Sequence, residues 1–449
     1  MSTYTAISIG PIIATFSQVR KPRHLWSASY VFSHLMKIII DEGGTLISPY
    51  KDDATEKAGI GLYPDRAFFK GDFLIKELTD KAFEKLSDDI GIRKELLSDY
   101  FNIMGLSIEA DSEAEAIGTL NQKLDVLELA NRCEDSEARA ELLKLISTDF
   151  DSLLFEIGFG KKDFKIDDLE HIAGKSGNDK YSYSKYFCVV QADGDNMGKV
   201  IKNLQNDKLK ELSETLIKFG KVASAAVTDF GGLPIYAGGD DLLFIAPVVS
   251  KTGNIFDLID KIDKNYKTVA DKAKGLQNDT DAVFTSMSYG VSINYYKHPL
   301  YEVLADARCQ LFDYREGAKA TRNTIVCNLR KHSGSSFKLV LNKTNGELKK
   351  AFEALIPLAK DDNLVSATAH KLRENSVLWM ATEGDNQRLS AFFKAYLGLG
   401  EKNDNQKDYL EKVKEILGLL LAKKDDKITQ NIYSILRTAK FINGEEVKE

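Results

Sequence analysis

The order of strand-like and helix-like segments between Lys185 and Lys331 constrains the fold of this chain more than any other feature. Tyr186 to Ala192 is an almost unbroken apolar run of strand length. Leu209, Leu212, Leu216, Phe219, Ala223, Ala226 and Phe230 then recur on one helical stripe that Gly231-Gly232 stops. Leu233 to Ala237 and Leu242 to Ala246 read as strands flanking Gly238-Gly239-Asp240-Asp241, a tight hairpin sequence because glycine tolerates φ > 0. A second helix carries Ile255, Leu258, Ile262, Tyr266 and Val269, and alternation from Met287 to Tyr295 predicts a half-buried strand. A helix from about Leu300 to Ala318 and a strand from Thr324 to Leu329 complete the order βαββαβαβ. Such strands pair out of sequence in one sheet with helices on one face, the ferredoxin-like split βαβ arrangement.

The flanking regions are read from the same periodicities. Ala6 to Ile9 is a strand, Gly10-Pro11 breaks it, and Leu25, Ala28, Phe32, Leu35 and Ile39 mark a long helix ended by Gly43-Gly44. A short strand, Thr45 to Ser48, follows, and Tyr63 to Phe69 belongs to the same unit. From about Lys70 to Glu170 the apolar period is helical (Leu120, Leu124, Leu127, Leu142, Leu145), with no strand expected. Gly174 to Ser184 reads as a linker, and beyond Lys343 only helical periodicity remains.

At 449 residues, a prior of roughly 150 residues per domain suggests about three domains. With 43% hydrophobic and 29% charged residues and only 8 prolines, collagen-like and disordered classes are excluded. A formal charge of -6 gives no whole-molecule attraction for nucleic acid, so any such contact needs a local basic face. The four cysteines, Cys133, Cys188, Cys309 and Cys327, show no C-x-x-C spacing, which speaks against a disulfide framework or zinc knuckle and for a reducing compartment. The first basic residue is Arg20, so the charged start of a signal peptide is missing, and apolar runs such as Leu417 to Ala422 are too short to span a bilayer. A soluble cytoplasmic protein with no membrane partner is expected.

Three carboxylates stand where a phosphate-metal site needs them: Asp193 after a buried strand, and Asp240 and Asp241 in the hairpin. If the first strand lies beside that hairpin, they converge at one sheet edge. Mg²⁺ or Mn²⁺ needs only one or two carboxylates, with water and phosphate oxygens completing the shell. Two such ions activate a 3′-hydroxyl and stabilise the pyrophosphate that leaves. Gly194, Gly238 and Gly239 are nucleotide-binding candidates, since a backbone without side chains admits a base or ribose. Lys319, after the last helix of the unit, offers positive charge to a triphosphate. Plainer readings exist for each. Asp-Gly-Asp-Asn (193 to 196) and Gly-Gly-Asp-Asp suit ordinary turns, and a lysine near a helix C-terminus is favoured by the dipole. The basic cluster Arg20, Lys21, Arg23 and His24 suits phosphate contact or a solvated helix start equally, and Trp26 at helical spacing reads as core.

Several strings, taken in order, resemble the palm polymerase of the large subunit of type III CRISPR effector complexes. They are Asp193-Gly194-Asp195-Asn196-Met197-Gly198, Tyr236 to Leu243, Ser288 to Ile293, Pro299-Leu300, Ala318-Lys319, Arg322-Asn323 and Arg330 to Gly334. Ser8-Ile9-Gly10-Pro11, Phe16, Arg20, Arg23, Leu25-Trp26, Ser29-Tyr30 and Ser33 look like the opening of the first palm in the type III-B form. The resemblance implies an α+β chain with two ferredoxin-like, nucleotidyl cyclase-like palms and helical domains between and after them. The expected division is a degenerate first palm at 1–90, a helical domain and linker at 91–180, a second palm at 181–335 and a C-terminal helical domain at 336–449.

It further implies a metal-dependent adenylyltransferase that target RNA switches on to make an adenylate second messenger from ATP. The product would be a cyclic oligoadenylate or AMP coupled to S-adenosylmethionine as co-substrate. The implied partners are other type III-B effector subunits, CRISPR guide RNA and target RNA. The chain starts at the palm and none of its six histidines precedes an aspartate, so the HD nuclease of many members is not expected. The cysteine zinc site of many members also lacks its ligands. Gly43-Gly44-Thr45-Leu46 stands at the hairpin-like position of the first palm, without a carboxylate pair, so that palm is expected to complete a composite nucleotide pocket. A scaffold that binds guide RNA and partner subunits without chemistry is the alternative.

Overall fold

The computed structural model describes residues 1–51, 60–130, 168–205, 208–278, 282–423 and 427–444. Two sheets organise the chain. The first contains β1 (Ser2–Gly10), β2 (Thr45–Ser48), β3 (Arg66–Lys70) and β4 (Asn102–Ala110) in the order β2-β3-β1-β4, all antiparallel. Helix α1 (Pro22–Glu42) joins β1 to β2, and α2 (Ile75–Ile90) lies between β3 and β4. α3 (Glu113–Ala130) follows β4 and packs on β4 and β1.

The second sheet contains β5 (Tyr186–Gly194), β6 (Leu233–Gly238), β7 (Asp241–Pro247), β8 (Met287–Tyr295), β9 (Thr324–Arg330) and β10 (Ser336–Asn342). Its order is β10-β9-β8-β5-β7-β6. β8 and β9 are parallel and the other pairs antiparallel. α4 (Leu209–Asp229) and α5 (Ile255–Leu276) pack together, while α6 (Leu300–Phe312) and the single-turn α7 (Ala318–Thr321) lead into β9. The first four strands of each unit thus share one βαββαβ topology, with the fourth strand beside the first.

β5 shows why its sequence is nearly all apolar. Phe187 and Val189 enter one core cluster together with Trp26, Leu35 and Phe69 of the first unit, whereas Cys188, Val190 and Ala192 enter the other with α4 and α5. A strand covered on both faces cannot alternate with polar residues. The two units are also tied through the backbone: Gly61 bridges to Tyr236, and Ala237 N–H donates to Gly61 O at 2.9 Å. Beyond β10 the chain is helical, and Ile428–Gly444 packs on β10.

The α+β architecture, a palm-like domain flanked by helical regions, agrees with the sequence reading; particular elements differ. β4 lies in a stretch read as helical. Met104, Leu106, Ile108 and Ala110 do alternate, but Ile103 and Gly105 interrupt the pattern and the strand is a half-exposed edge paired only with β1. β10 falls within the stretch 336–449 assigned to the C-terminal helical domain, just ahead of Lys343, beyond which helical periodicity alone was expected. Gly43-Gly44 precedes β2 at the end of α1, as Gly231-Gly232 precedes β6 after α4, so its counterpart is that glycine pair and not the Gly-Gly-Asp-Asp hairpin. Leu142, Leu145 and Cys133 lie outside the described residues. Among those described, no helix is long and apolar enough to cross a membrane, and Cys188, Cys309 and Cys327 are free thiols. Trp26 is fully buried and stacks on Tyr30, in agreement with a core role.

Candidate active site

β5 and β7 are neighbours, with Ala192 opposite Leu242, so the end of β5 meets the start of β7. Gly238 pairs with Asp241 across the hairpin, leaving Gly239 and Asp240 as its two-residue loop, and Gly239 has a φ of 65°. Gly194 N–H donates to Asp240 O at 3.1 Å, which draws the loop onto the end of β5. The approach requires glycine: a Cβ on Gly194 would lie 2.6 Å from Asp240 Oδ2 and 2.7 Å from the Tyr266 hydroxyl. Gly194 therefore brings Asp240 down beside Asp193, and Gly238 lies buried against the Tyr236 ring.

Asp193, Asp240 and Asp241 are half-buried and within one another's fields. Burial, reinforced by Asp193, pushes the Asp240 carboxyl up to about 7. Burial and the charges of Asp193 and Asp240 push Asp241 well above the usual carboxylate range. Such shifts report negative charge that the protein itself does not neutralise. Among the described residues, the cation paired with this cluster is Lys319 of α7, whose Nζ pairs with Asp193, lies 3.2 Å from Asp195 Oδ1 and donates to Gly194 O at 2.8 Å. Burial alone would lower its ammonium, but Asp193 and Asp195 outweigh burial and hold it above its ordinary value.

The acidic cluster faces two cavities. One, of about 470 Å³, is lined by Asp193, Asp240, Lys199, Lys202 and Arg322 together with Asn121 of α3. The other, of about 290 Å³, lies between the two sheet units and is lined by Asp241, Tyr236, Ser29, Ser33 and Asp65. Ser29 is 2% exposed, and its hydroxyl has no hydrogen-bond partner among the described residues.

The donors are hard oxygens in a site short of positive charge, which suits a divalent cation. Among the described residues no three or more His, Cys, Asp or Glu close around one point as a self-sufficient metal cage. That fits an ion which takes one or two carboxylates and completes its shell with phosphate and water. Asp193, Asp240, Asp241, Gly194, Gly238, Gly239 and Lys319 all fall in this one region. Sequence reasoning missed Asp65, Lys199, Lys202 and Arg322. Lys199 and Lys202 were discoverable six and nine residues after Asp193, on the short helix Met197–Lys202, but Asp65 reaches the site from the first unit and Arg322 from an irregular turn.

Residues 186–326 match the family model for the Cas10/Cmr2 second palm domain. Over 199 residues the chain is 29% identical to the CRISPR system Cmr subunit Cmr2 of Pyrococcus furiosus; the match covers 37% of this chain and only 22% of that protein's length. Among solved structures, a Csm1-Csm4 cassette in complex with cA4 is similar at a TM-score of 0.61 and 14% identity, over 98% of this chain and 69% of that one. A type III-B Cmr-beta complex bound to cognate target RNA has a chain similar at a TM-score of 0.56 and 11% identity, over 90% of this chain and 80% of that one. At these identities the structural likeness is one of fold. The unit built on β5 to β9 is thus the part of the chain that matches the Cas10/Cmr2 second palm domain in sequence, and its fold is that of a palm-like domain.

Proposed function

We propose that this chain is the nucleotidyltransferase subunit of a type III-B CRISPR effector complex and joins adenylates from ATP when target RNA is bound. The observation that carries the reading is the convergence of Asp193, Asp240 and Asp241 at the junction of two palm-like units, beside two cavities. These three residues would hold Mg²⁺ or Mn²⁺, which supplies charge neutralisation and a more acidic hydroxyl. Lys199, Lys202 and Arg322 attract the triphosphate, and the cavity holding Ser29 and Asp65 takes the acceptor nucleoside. The acceptor 3′-oxygen bonds to the α-phosphorus, the bond from that phosphorus to the bridging β-phosphate oxygen breaks, pyrophosphate leaves and the hydroxyl proton passes to water. The reaction is largely a matter of positioning and charge, and near-attack placement alone is worth about 7–11 kcal/mol of barrier.

RNA control follows from the shared pocket. A small relative shift of the two units takes the acceptor out of line, and target RNA corrects it by binding the aligned state more tightly. The net charge of -6 leaves recognition of guide and target RNA to local surface and partner subunits. The reconstituted complex, incubated with labelled ATP, S-adenosylmethionine and matched or mismatched target RNA, tests the reading by product mass. The expected result is a cyclic oligoadenylate or an AMP conjugate of S-adenosylmethionine with matched RNA only. Complete assembly on guide RNA without any nucleotide product would favour the scaffold reading, and equal product under all conditions would favour a constitutive cyclase.

A further inference from the structure

Asp195 is the acidic residue of Asp-Gly-Asp-Asn that the carboxylate site does not use. Its side chain is fully buried. Ser286 Oγ donates to Oδ2 at 2.6 Å, Ser288 Oγ lies 2.9 Å from each oxygen, and the Asn323 backbone N–H donates to Oδ2 at 2.8 Å. Lys319 Nζ lies 3.2 Å from Oδ1. These donors occupy the lone pairs of both oxygens, so Asp195 presents none to a metal. One carboxylate thereby ties the end of β5 to the start of β8 and to the turn after α7.

That turn is conformationally costly. Arg322 and Asn323 have φ of 56° and 45°, the left-handed region that non-glycine residues rarely adopt, and two in succession are held only by surrounding contacts. The turn is also held by Arg322 N–H donating to Ala318 O at 2.9 Å, Thr324 Oγ1 donating to Arg322 O at 2.6 Å and Lys343 N–H donating to Asn323 O at 2.8 Å, with longer bonds of 3.4 Å from Asn342 Nδ2 to Arg322 O and from Asn323 Nδ2 to Thr344 Oγ1, and Asp195 is the charged partner among them. The result of the conformation is to place Arg322 on the wall of the cavity that contains Asp193 and Asp240, with its side chain exposed and in no ion pair among the described residues.

We propose that Asp195 is a positioning residue: by fixing the Arg322–Asn323 turn it aims the Arg322 guanidinium at the triphosphate of the bound nucleotide. A guanidinium fork matches phosphate oxygens in two parallel hydrogen bonds, and its value depends on orientation, which a loose turn would forfeit. The proposal rests on the nucleotidyltransferase reading and adds to it how one phosphate contact is held.

The test compares binding of ATP and of AMP to the full chain by calorimetry, with kinetics of the assembled complex in parallel. Arg322→Ala and Asp195→Ala each weaken ATP binding by about tenfold and leave AMP binding within about twofold, because AMP lacks the phosphates concerned. In the complex the same loss appears as a raised KM with kcat nearly unchanged. The double variant binds ATP as Arg322→Ala does, since one residue acts through the other. Asp195→Asn, which keeps an acceptor for the Asn323 N–H, restores part of the loss. If Asp195→Ala fails to melt cooperatively, Asp195→Asn and Ser288→Ala carry the same comparison, each with a smaller loss for ATP alone. ATP affinity equal to wild type, equal losses for ATP and AMP, or losses that multiply in the double variant would overturn the proposal. A complex that makes no product while its ATP and AMP affinities follow this pattern would sink the catalytic reading and leave the positioning role standing.

Discussion

The two palm-like units use one topology for different ends. In each, the first strand ends in glycine, Gly10 or Gly194, preceded by Ile9 in the first unit and Asp193 in the second. In each, the residue before the third strand accepts a backbone hydrogen bond from the end of the first strand: Ile9 N–H to Asp65 O at 2.9 Å and Gly194 N–H to Asp240 O at 3.1 Å. The third strand then begins with Arg66 in one unit and Asp241 in the other. Arg66 is committed within its own unit, donating to Asn121 at 3.0 Å, to Asp125 at 2.7 Å and, from Nη2, to Glu128 at 2.7 Å. Two substitutions, Ile9 for Asp193 and Arg66 for Asp241, with Asp65 kept where Asp240 stands, thus turn a carboxylate cluster into a braced wall. The fold supplies placement, and the chemistry resides in a few side chains grafted onto it.

The largest expected effect breaks the comparison at its chemical end. Asp240→Ala with Asp241→Ala lowers product formation by about a hundredfold or more, while assembly and RNA binding persist. Both side chains carry unfavourable charge in the folded state, so their loss does not unfold the chain. Product assay beside gel filtration of the complex checks both halves, and undiminished product would remove the proposed site.

At the braced end, Arg66→Ala costs about 1–3 kcal/mol of stability, read from the denaturant midpoint. The lower part of that range is expected because Asp125 is well exposed. A smaller effect concerns pH. Asp240 is held near 7 in the folded chain against about 4 unfolded, so the stability its protonated form contributes is complete below about pH 4 and is lost as pH rises through 7. Without divalent ions, the melting temperature of wild type should therefore fall more between pH 5 and pH 8 than that of Asp240→Asn. Parallel curves would contradict the assigned environment.

What the sequence revealed divides along the same line. The second unit was legible because β5 is covered on both faces and its strands and helices carry unambiguous periods, so Asp193 could be placed beside the Gly-Gly-Asp-Asp hairpin. The last strand of the first unit was not, because β4 is an edge with mixed neighbours whose alternation is broken at Ile103 and Gly105. Lys319 was found, but not its attachment to Asp193 and Gly194 O, which depends on how α7 folds back over β5. Asp195 and Arg322 gave no signal of their roles, since side-chain direction at a turn and a positive φ at a non-glycine residue follow from tertiary contacts. Asp65 required the other unit as a template, and that likeness lies in topology and hydrogen bonding.

The most direct measurement is Mn²⁺ binding in the presence of ATP, titrated into wild type, Asp240→Asn/Asp241→Asn and Asp65→Asn chains. Wild type and Asp65→Asn should bind with affinities within about threefold, and the double variant should lose at least about tenfold, since hard-cation affinity follows carboxylate charge. Undiminished binding by the double variant, or an equal loss in Asp65→Asn, would contradict the assignment of the metal site to the second palm alone.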